Sequence, residues 1–500
     1  MSSNLLFDRM LRAGDPAAPA IQSATRNYAY GDIDRETARY ANALVDLGVR
    51  PGDRVAVQVE KSAENLFLYL ATVRAGAVYL PLNTAYTLAE LGYFMGDAEP
   101  ALIVCDPSAL VGVSPLAGAV PVWTLDRDGE GTLPALAASQ TAAFNTVARG
   151  PDDLAAICYT SGTTGRSKGA MLTHRALTSN AETLVELWRF SATDVLIHAL
   201  PIYHVHGLFV ATNVVLMAGA SMILQRKFEP AAVIAAMAQA TVLMGIPTFY
   251  TRLLAHPALS SEVVRGMRLF ISGSAPLLAQ THRDWTARTA KPILERYGMT
   301  ETGMNTSNPY HGDRVAGTVG LPLPDVALRI VEEESGREVA DGEIGVIEVK
   351  GPNVCAGYWR NPEKTAEAFR PDGFFITGDL GVRDEHGYVS IVGRGKDLII
   401  TGGLNVYPKE VEAEIDALPG VVESAVIGLP HADLGEAVTA VVAVSPGAEL
   451  TETAILDALD VRLARFKQPK RVLFTDDLPR NAMGKVQKAW LRDEFKALYD

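Results

Sequence analysis

The sequence predicts an α/β protein: a large N-terminal domain of parallel or mixed sheets with flanking helices, and a small C-terminal α+β domain. Three observations carry this. Short apolar runs alternate with amphipathic segments through most of the chain, the pattern of strands followed by helices. From about Val319 short β runs and turns take over. The segment Gly393–Gly403 then packs four glycines and opposed charges into eleven residues, which sets a boundary between domains 1–396 and 397–500. A chain of 500 residues is long enough for two or three cores.

In chain order, Arg54–Gln58 and Ala101–Asp106 read as short strands, and Leu154–Thr160 as an apolar strand. Over 175–189 the apolar residues Leu177, Ala181, Leu184 and Trp188 recur with helical period. Thr241–Gly245 is a strand, and Pro247 opens a helix, TFYTRLLA, with Arg252 expected on its first turn. Arg268–Ser272 is a strand followed by Gly273-Ser-Ala-Pro276, and Ile293–Arg296 leads to Tyr297. Short β runs follow at Ala327–Glu332, Gly345–Lys350 and Tyr388–Val392. In the C-terminal domain, helices are expected at 408–418 and 452–465, and strands at 422–428, 437–444 and 471–475.

Composition excludes several function classes. A net charge of −13 and a pI of about 5.3 argue against nucleic-acid binding, which needs a basic face. The three cysteines, Cys105, Cys158 and Cys355, are scattered and form neither a metal-site spacing nor a disulfide framework. That suits a reducing, cytoplasmic setting. Asp8 and Arg9 fall where a signal peptide needs an apolar core. Val195–Gln225 carries no Asp, Glu, Lys or Arg, but Gly219, Ala220 and Ser221 break it, so it reads as a buried helix and strand rather than a membrane span.

The most informative stretch is YTSGTTGRSKGA at 159–170. Gly162 and Gly165 let the backbone approach a ligand closely. Thr160, Ser161, Thr163, Thr164 and Ser167 offer hydroxyls, and Arg166 and Lys168 offer positive charge. The sum is a cradle for a polyphosphate, with a spacing different from that of the P-loop.

This string resembles the phosphate loop of the AMP-forming adenylating enzymes, a family of acyl-CoA synthetases, adenylation domains and luciferases. Four further segments resemble its motifs in the right order: Tyr297-Gly-Met-Thr-Glu-Thr302, Thr377-Gly-Asp-Leu380, Gly393-Arg-Gly-Lys-Asp397 and Pro479-Arg-Asn-Ala-Met-Gly-Lys485. The resemblance spans about Phe7 to Leu491. It implies ATP and Mg²⁺ as cofactors and CoA as co-substrate. Thr160, Ser161, Gly162, Thr163, Thr164, Gly165 and Lys168 would hold the β- and γ-phosphates. Tyr297 would stack on adenine, with Ser274, Ala275 and Pro276 on its other side. Thr300 would approach the α-phosphate, Glu301 would hold Mg²⁺, and Asp379 with Arg394 would bind the ribose. Lys485 would be the catalytic lysine on a mobile lid, Asp397 its hinge, and Gly402 and Gly403 the lining of the CoA tunnel.

The residues around the expected acid pocket are Arg252, Ser274, His206 and Met304. Arg252 offers a bidentate cation for a second carboxylate. The strings PTFYTR, SGSAPL and ERYGMTETGMNTSN together resemble the malonate-activating members of the family. That implies malonate, ATP and CoA going to malonyl-CoA, AMP and diphosphate, a step of fatty acid metabolism. Methylmalonate or another short acid is the alternative; a luciferase-like oxygenase or a free-standing adenylation module is a different class. The expected partners are these small molecules, with no nucleic acid and no membrane, in a monomer or homodimer.

Overall fold

The computed structural model describes residues 3–160, 167–445, 447–481 and 483–499. Among these, nine strands form one sheet in the order Leu321–Pro322, Gly303–Ser307, Leu294–Met299, Leu269–Ser272, Val242–Gly245, Val195–His198, Ser221–Leu224, Pro19–Gln22 and Asn27–Ala29. The six central members, from Leu294–Met299 to Pro19–Gln22, pair in parallel. A six-stranded sheet runs Val122–Thr124, Leu102–Cys105, Arg54–Gln58, Val78–Pro81, Leu154–Thr160 and Lys168–Thr173. Helix Ala63–Arg74, buried along its whole length, belongs to the core that joins the two. A buried helix cannot show an amphipathic stripe, and AENLFLYLATVR accordingly reads as an almost continuous apolar run.

Two smaller sheets follow. Ala327–Val331, Gly345–Lys350, Phe375–Arg383 and Val389–Arg394 form an antiparallel meander. In the C-terminal part, Leu404–Val406, Ile399–Thr401, Gly435–Val444 and Val421–His431 pair antiparallel, and Arg471–Thr475 adds in parallel. Helices Pro408–Asp416 and Glu452–Asp460 cover one face of this sheet, and Lys488–Glu494 the other. The fold is thus the expected mixed α/β class, a large sheet domain followed by a small C-terminal one.

Two sequence expectations need correction, and a third, the buried helix and strand after Pro201, is refined. The helix expected over 452–465 ends at Asp460, and the next residue, Val461, is exposed. The apolar stretch after Pro201 begins as a π-helix, His206–Thr212, before continuing as the α-helix Asn213–Met217 and the strand Ser221–Leu224. Arg252 lies in the last turn of helix Pro247–Ala255, not the first, and is exposed. Starting at Pro247, the helix reaches Arg252 only after its first turn is complete.

Parallel strands place all their C-terminal ends on one edge, and their N-terminal ends need holding together on the other. Asp194 does this. Its carboxylate accepts from Arg268 Nε at 2.7 Å and Nη2 at 2.8 Å, from Thr241 Oγ1 at 2.8 Å and from the Ser191 amide at 2.9 Å. These residues precede three adjacent strands, Val195–His198, Val242–Gly245 and Leu269–Ser272. Burial would raise the Asp194 carboxyl, but its donors outweigh that and hold it below the usual range. Asp194→Asn, which leaves Arg268 without its counter-charge, is expected to destabilise the large domain by about 3–5 kcal/mol. Urea unfolding followed by tryptophan fluorescence measures this; an unchanged midpoint would mean the clamp is dispensable.

Candidate active site

The C-terminal ends of the parallel strands open onto one region. Val195–His198 leads to His204 and His206, Val242–Gly245 to Ile246 and Thr248, Leu269–Ser272 to Gly273–Pro276, and Leu294–Met299 ends in Tyr297 and Met299. The antiparallel meander adds a fifth side. Asp379 and Arg394 are cross-strand partners there, and Asp379 Oδ1 lies 2.8 Å from Arg394 Nε. Tyr297 Oη donates to Asp379 Oδ2 at 2.5 Å. Burial and the Asp379 carboxylate push the Tyr297 phenol well above its ordinary value. The Asp379 charge raises the Arg394 guanidinium in spite of its burial. The structure therefore gathers Tyr297, Asp379 and Arg394 into one hydrogen-bonded cluster.

Glu301 and Thr300 directly follow the strand that carries Tyr297. Glu301 is buried and accepts a hydrogen bond from Tyr358 Oη at 3.1 Å. Lys168 Nζ sits 4.3 Å from the centroid of the same tyrosine ring. Tyr358 so spans from the lysine beside the sequence-predicted phosphate loop to the predicted metal ligand. Thr160 and Lys168 end and begin two paired strands. Ser161, Gly162, Thr163, Thr164 and Gly165 lie outside the described residues.

The same region holds a cluster of polar groups, several of whose atoms have no partner among the described residues. His206 Nδ1 lies 3.1 Å from Ser274 Oγ, while His206 Nε2 and His204 Nδ1 have no partner among the described residues. Arg296, 2% exposed, leaves both Nε and Nη2 without an acceptor. Burial lowers this guanidinium to about 9. Burial and Arg296 hold His206 well below its ordinary value, and burial, Lys485 and Arg296 lower His204 to about 3, so both imidazoles are neutral. Gly273 makes the arrangement possible, because a Cβ there would stand 2.5 Å from Arg296 Cζ. Ser274 adopts φ 71°, left-handed backbone that a non-glycine residue holds only under constraint. Met304 is buried, and its backbone is gripped at both ends by the Asn180 side chain at 2.9 and 3.0 Å.

Lys485 reaches this region from the C-terminal domain. Asn481 shapes its loop, with Oδ1 accepting from the amides of Met483 and Lys485 at 3.0 Å each. Arg480 Nη1 donates to Gly484 O at 2.8 Å and pairs with Glu423. A Cβ on Gly484 would lie 3.2 Å from Ile246 Cδ1, so the loop rests on the strand-to-helix junction at Ile246–Thr248. Burial and the charges of Arg394 and Arg296 lower the Lys485 ammonium, with Asp379 and Glu301 opposing. One lysine thus feels the Asp379–Arg394 pair, Glu301 and Arg296 together.

Residues that stand apart from this cluster are Arg252, Gly402 and Gly403. Arg252 is exposed, close enough to Arg480 to lower its guanidinium in addition to the effect of burial. Gly402 and Gly403 form the exposed turn between Ile399–Thr401 and Leu404–Val406, with φ 56° and 79°. Asp397 Oδ1 pairs with Arg492 Nη2 at 2.9 Å. The sequence reading passed over Arg296, His204, Glu295 and Tyr358. The signal for two of them was there: an adjacent Glu-Arg pair inside the apolar run ILERYG.

Two family models match most of the chain. Residues 9–359 match the AMP-binding enzyme family, and residues 410–485 match the AMP-binding enzyme C-terminal domain. The chain belongs to this family. It is similar to MatB from Rhodopseudomonas palustris, at 62% identity over 100% of both chains, with a TM-score of 0.98 to the ATP-bound form and 0.86 to the apo form. It is 34% identical to a malonate–CoA ligase of Arabidopsis thaliana, over 95% of this chain and 86% of the relative. It is 36% identical to a feruloyl-CoA synthase from Amycolatopsis sp, over 96% of each.

Glu295 adds a titratable group beside the site. It is 4% exposed, with Oε1 accepting from the Leu277 amide at 3.3 Å and Oε2 unpartnered. Burial raises its carboxyl from 4.5 to about 8. A raised carboxyl favours the folded state fully below the unfolded value and loses that contribution as pH rises toward the folded one. Glu295→Gln should therefore gain stability relative to the parent as pH rises from 5 to 8. Thermal melts of both proteins across that window test it, and a pH-independent difference would mean that Glu295 is ionised in the folded protein.

Proposed function

We propose that this AMP-forming acid–CoA ligase takes malonate, joining it to CoA through malonyl-adenylate with release of diphosphate and AMP. The observation that carries the choice of acid is Arg296. A buried guanidinium with two nitrogens, Nε and Nη2, left without an acceptor among the described residues is a standing site for an anion. Ser274 Oγ and the two neutral imidazoles add polar atoms around it. A monoacid would leave this cation unpaired, whereas a short diacid satisfies it while its other carboxylate reaches the α-phosphate. Arg252, at the rim beside Arg480, adds to the positive field rather than to the pocket floor.

In the first half-reaction one malonate carboxylate oxygen attacks the α-phosphorus of ATP, and the bond to diphosphate breaks. Lys485 stands where negative charge builds, and Thr300 lies beside the same centre. Tyr297 stacks on adenine, and Asp379 accepts from the ribose hydroxyls while Arg394 steadies it. Mg²⁺ would be held by Glu301, whose carboxylate is an oxygen donor of the kind the ion prefers. No group of three or more His, Cys, Asp or Glu gathers among the described residues, so the ion's other ligands would be phosphate oxygens and water. Bound there, it would neutralise charge on the departing diphosphate. In the second half-reaction the CoA thiol displaces AMP. Lys485 must leave for CoA to enter, and the exposed turn at Gly402–Gly403 must arrive, with Asp397 as the pivot. The three cysteines are buried and unpaired, and burial raises each thiol, as suits a reducing cytoplasm and a monomer or homodimer without disulfides. No helix among the described residues is long and apolar enough to cross a membrane.

Two measurements test this reading. Arg296→Leu should cut malonate kcat/KM by roughly 30- to several-thousand-fold, the loss of ~2–5 kcal/mol for one partner of a buried charge pair, and should spare butyrate. Arg252→Ala should have the smaller effect on that ratio. Equal losses on both acids would remove Arg296 as the diacid determinant. Lys485→Ala should slow adenylation by at least ~10²–10³-fold while sparing thioester formation from synthetic malonyl-AMP. Equal damage to both half-reactions would refute the movement of the C-terminal domain.

A further inference from the structure

Lys61 is one of the most deeply placed charges in the molecule, 5% exposed, and it forms no salt bridge among the described residues. Its Nζ lies 2.8 Å from His198 Nδ1, 2.7 Å from His198 O and 2.8 Å from Leu200 O. On the other side of the same ring, His198 Nε2 lies 2.9 Å from Gly207 O. A carbonyl oxygen only accepts, so Nε2 carries the ring hydrogen. Burial, with Lys61 beside it, holds His198 well below its ordinary value and therefore neutral, which leaves Nδ1 an acceptor. Lys61 must then donate to Nδ1, and its two carbonyl contacts take its other hydrogens. Three acceptors match the three donors of an ammonium group, so the geometry keeps Lys61 charged although burial lowers it strongly.

Each end of this chain of bonds is anchored. Lys61 directly precedes Ser62, whose Oγ caps the buried helix Ala63–Arg74 by accepting from the Asn65 amide at 3.1 Å. Asn65 is itself held by Tyr79 Oη at 2.7 Å. At the far end, Gly207 begins the second position of the π-helix His206–Thr212. Its carbonyl also accepts from Thr212 Oγ1 at 3.1 Å, and a Cβ on Gly207 would stand 2.0 Å from Pro201 O. This turn cannot slide without breaking those contacts. It presents His206 to Ser274 and leaves His206 Nε2 free beside Arg296. π-helical turns are uncommon and cluster at functional sites.

We propose that Lys61 is a positioning residue for the acid pocket: by fixing His198 with its hydrogen on Nε2, it holds the Gly207 carbonyl and so sets His206 against Ser274. The inference rests on the reading that this pocket takes the acid. Lys61 touches neither ATP nor acid; it acts through a ring and a turn. The same bonds to His198 O and Leu200 O steady the segment that carries His204.

The test separates this from a merely structural role. Lys61→Met keeps the stem and removes the donors. His198→Gln keeps an N–H near the Nε2 position, able to reach Gly207 O, whereas His198→Asn keeps a polar group near Nδ1 and cannot reach it. KM for the acid and for ATP are measured separately on the full-length chain. Lys61→Met and His198→Asn should raise the acid KM about 10-fold or more, the scale of one or two lost buried hydrogen bonds, with ATP KM within about twofold. His198→Gln should stay within about threefold of the parent. Parallel rises in both KM values, an acid KM unmoved in Lys61→Met, or equal damage from Gln and Asn at position 198 would overturn the proposal. If Lys61→Met does not fold, by circular dichroism, the Gln and Asn pair decides. Wild-type turnover of malonate is the separate control. Its failure would remove malonate as the acid and leave the KM comparison to be made with whichever acid the parent activates.

Discussion

Burying a cation without its counter-ion is costly, and this protein does so around a single cleft. Arg296, Lys485 and the Lys61–His198 pair lie close enough to shift the protonation of neighbouring groups, and among the described residues none of the three cations has a carboxylate in a salt bridge. Elsewhere the same chain pairs its buried charges carefully. Asp194 takes Arg268, and Glu348, fully buried, takes both Arg329 and Arg370. The contrast has a physical reading. Where the aim is stability, opposite charges meet within the protein; where the aim is binding, the opposite charge is left for the ligand to bring. A site for ATP and a carboxylic acid needs this excess, since both ligands are anions.

The fold is arranged to make that excess tolerable. Parallel strands clamped at one edge by Asp194 present their other edge as a row of loops, so Arg296, His206 and Ser274 meet although they are far apart in sequence. The strain is visible locally, in the left-handed backbone of Ser274 and in the π-helical turn after His206. Both are held by side-chain bonds from outside the turn. Pocket geometry here depends on groups such as Lys61 that no substrate touches, because a strained loop keeps its shape only when its surroundings over-determine it.

Much of this was legible in the sequence, for reasons that can be stated. The strands Arg54–Gln58, Gly345–Lys350 and Arg471–Thr475 begin and end where apolar alternation and turn residues place them. Asp379, Arg394, Tyr297 and Glu301 stood in ordered motifs, and the structure brings them into one neighbourhood. What escaped had a common cause. Arg296 reads in sequence as an ordinary charged strand residue; only the approach of Gly273 buries it, and that contact is tertiary. The π-turn escaped because the seven residues HGLFVAT carry no periodicity that separates 3.6 from a wider helix. Arg252 attracted attention as the lone cation in an apolar stretch, but sequence spacing could not say that its helix turns it outward.

The lowered Lys485 ammonium ties these threads together. Docking its loop buries the ammonium, the main cause of its lowering, and brings it toward Arg394 and Arg296, with Asp379 and Glu301 opposing. An anion in the cleft reverses the sign of that effect. Phosphates near Arg394 and a carboxylate on Arg296 would each raise Lys485 back toward its ordinary value, and so favour the closed state in which it is charged. By reciprocity, closure must tighten the hold on both anions. When diphosphate leaves, part of that charge goes with it, and the repulsion among the three cations returns. On the proposed two-step reading, the same groups that favour the docked arrangement for the first half-reaction would weaken it once that step is complete, leaving a route for CoA.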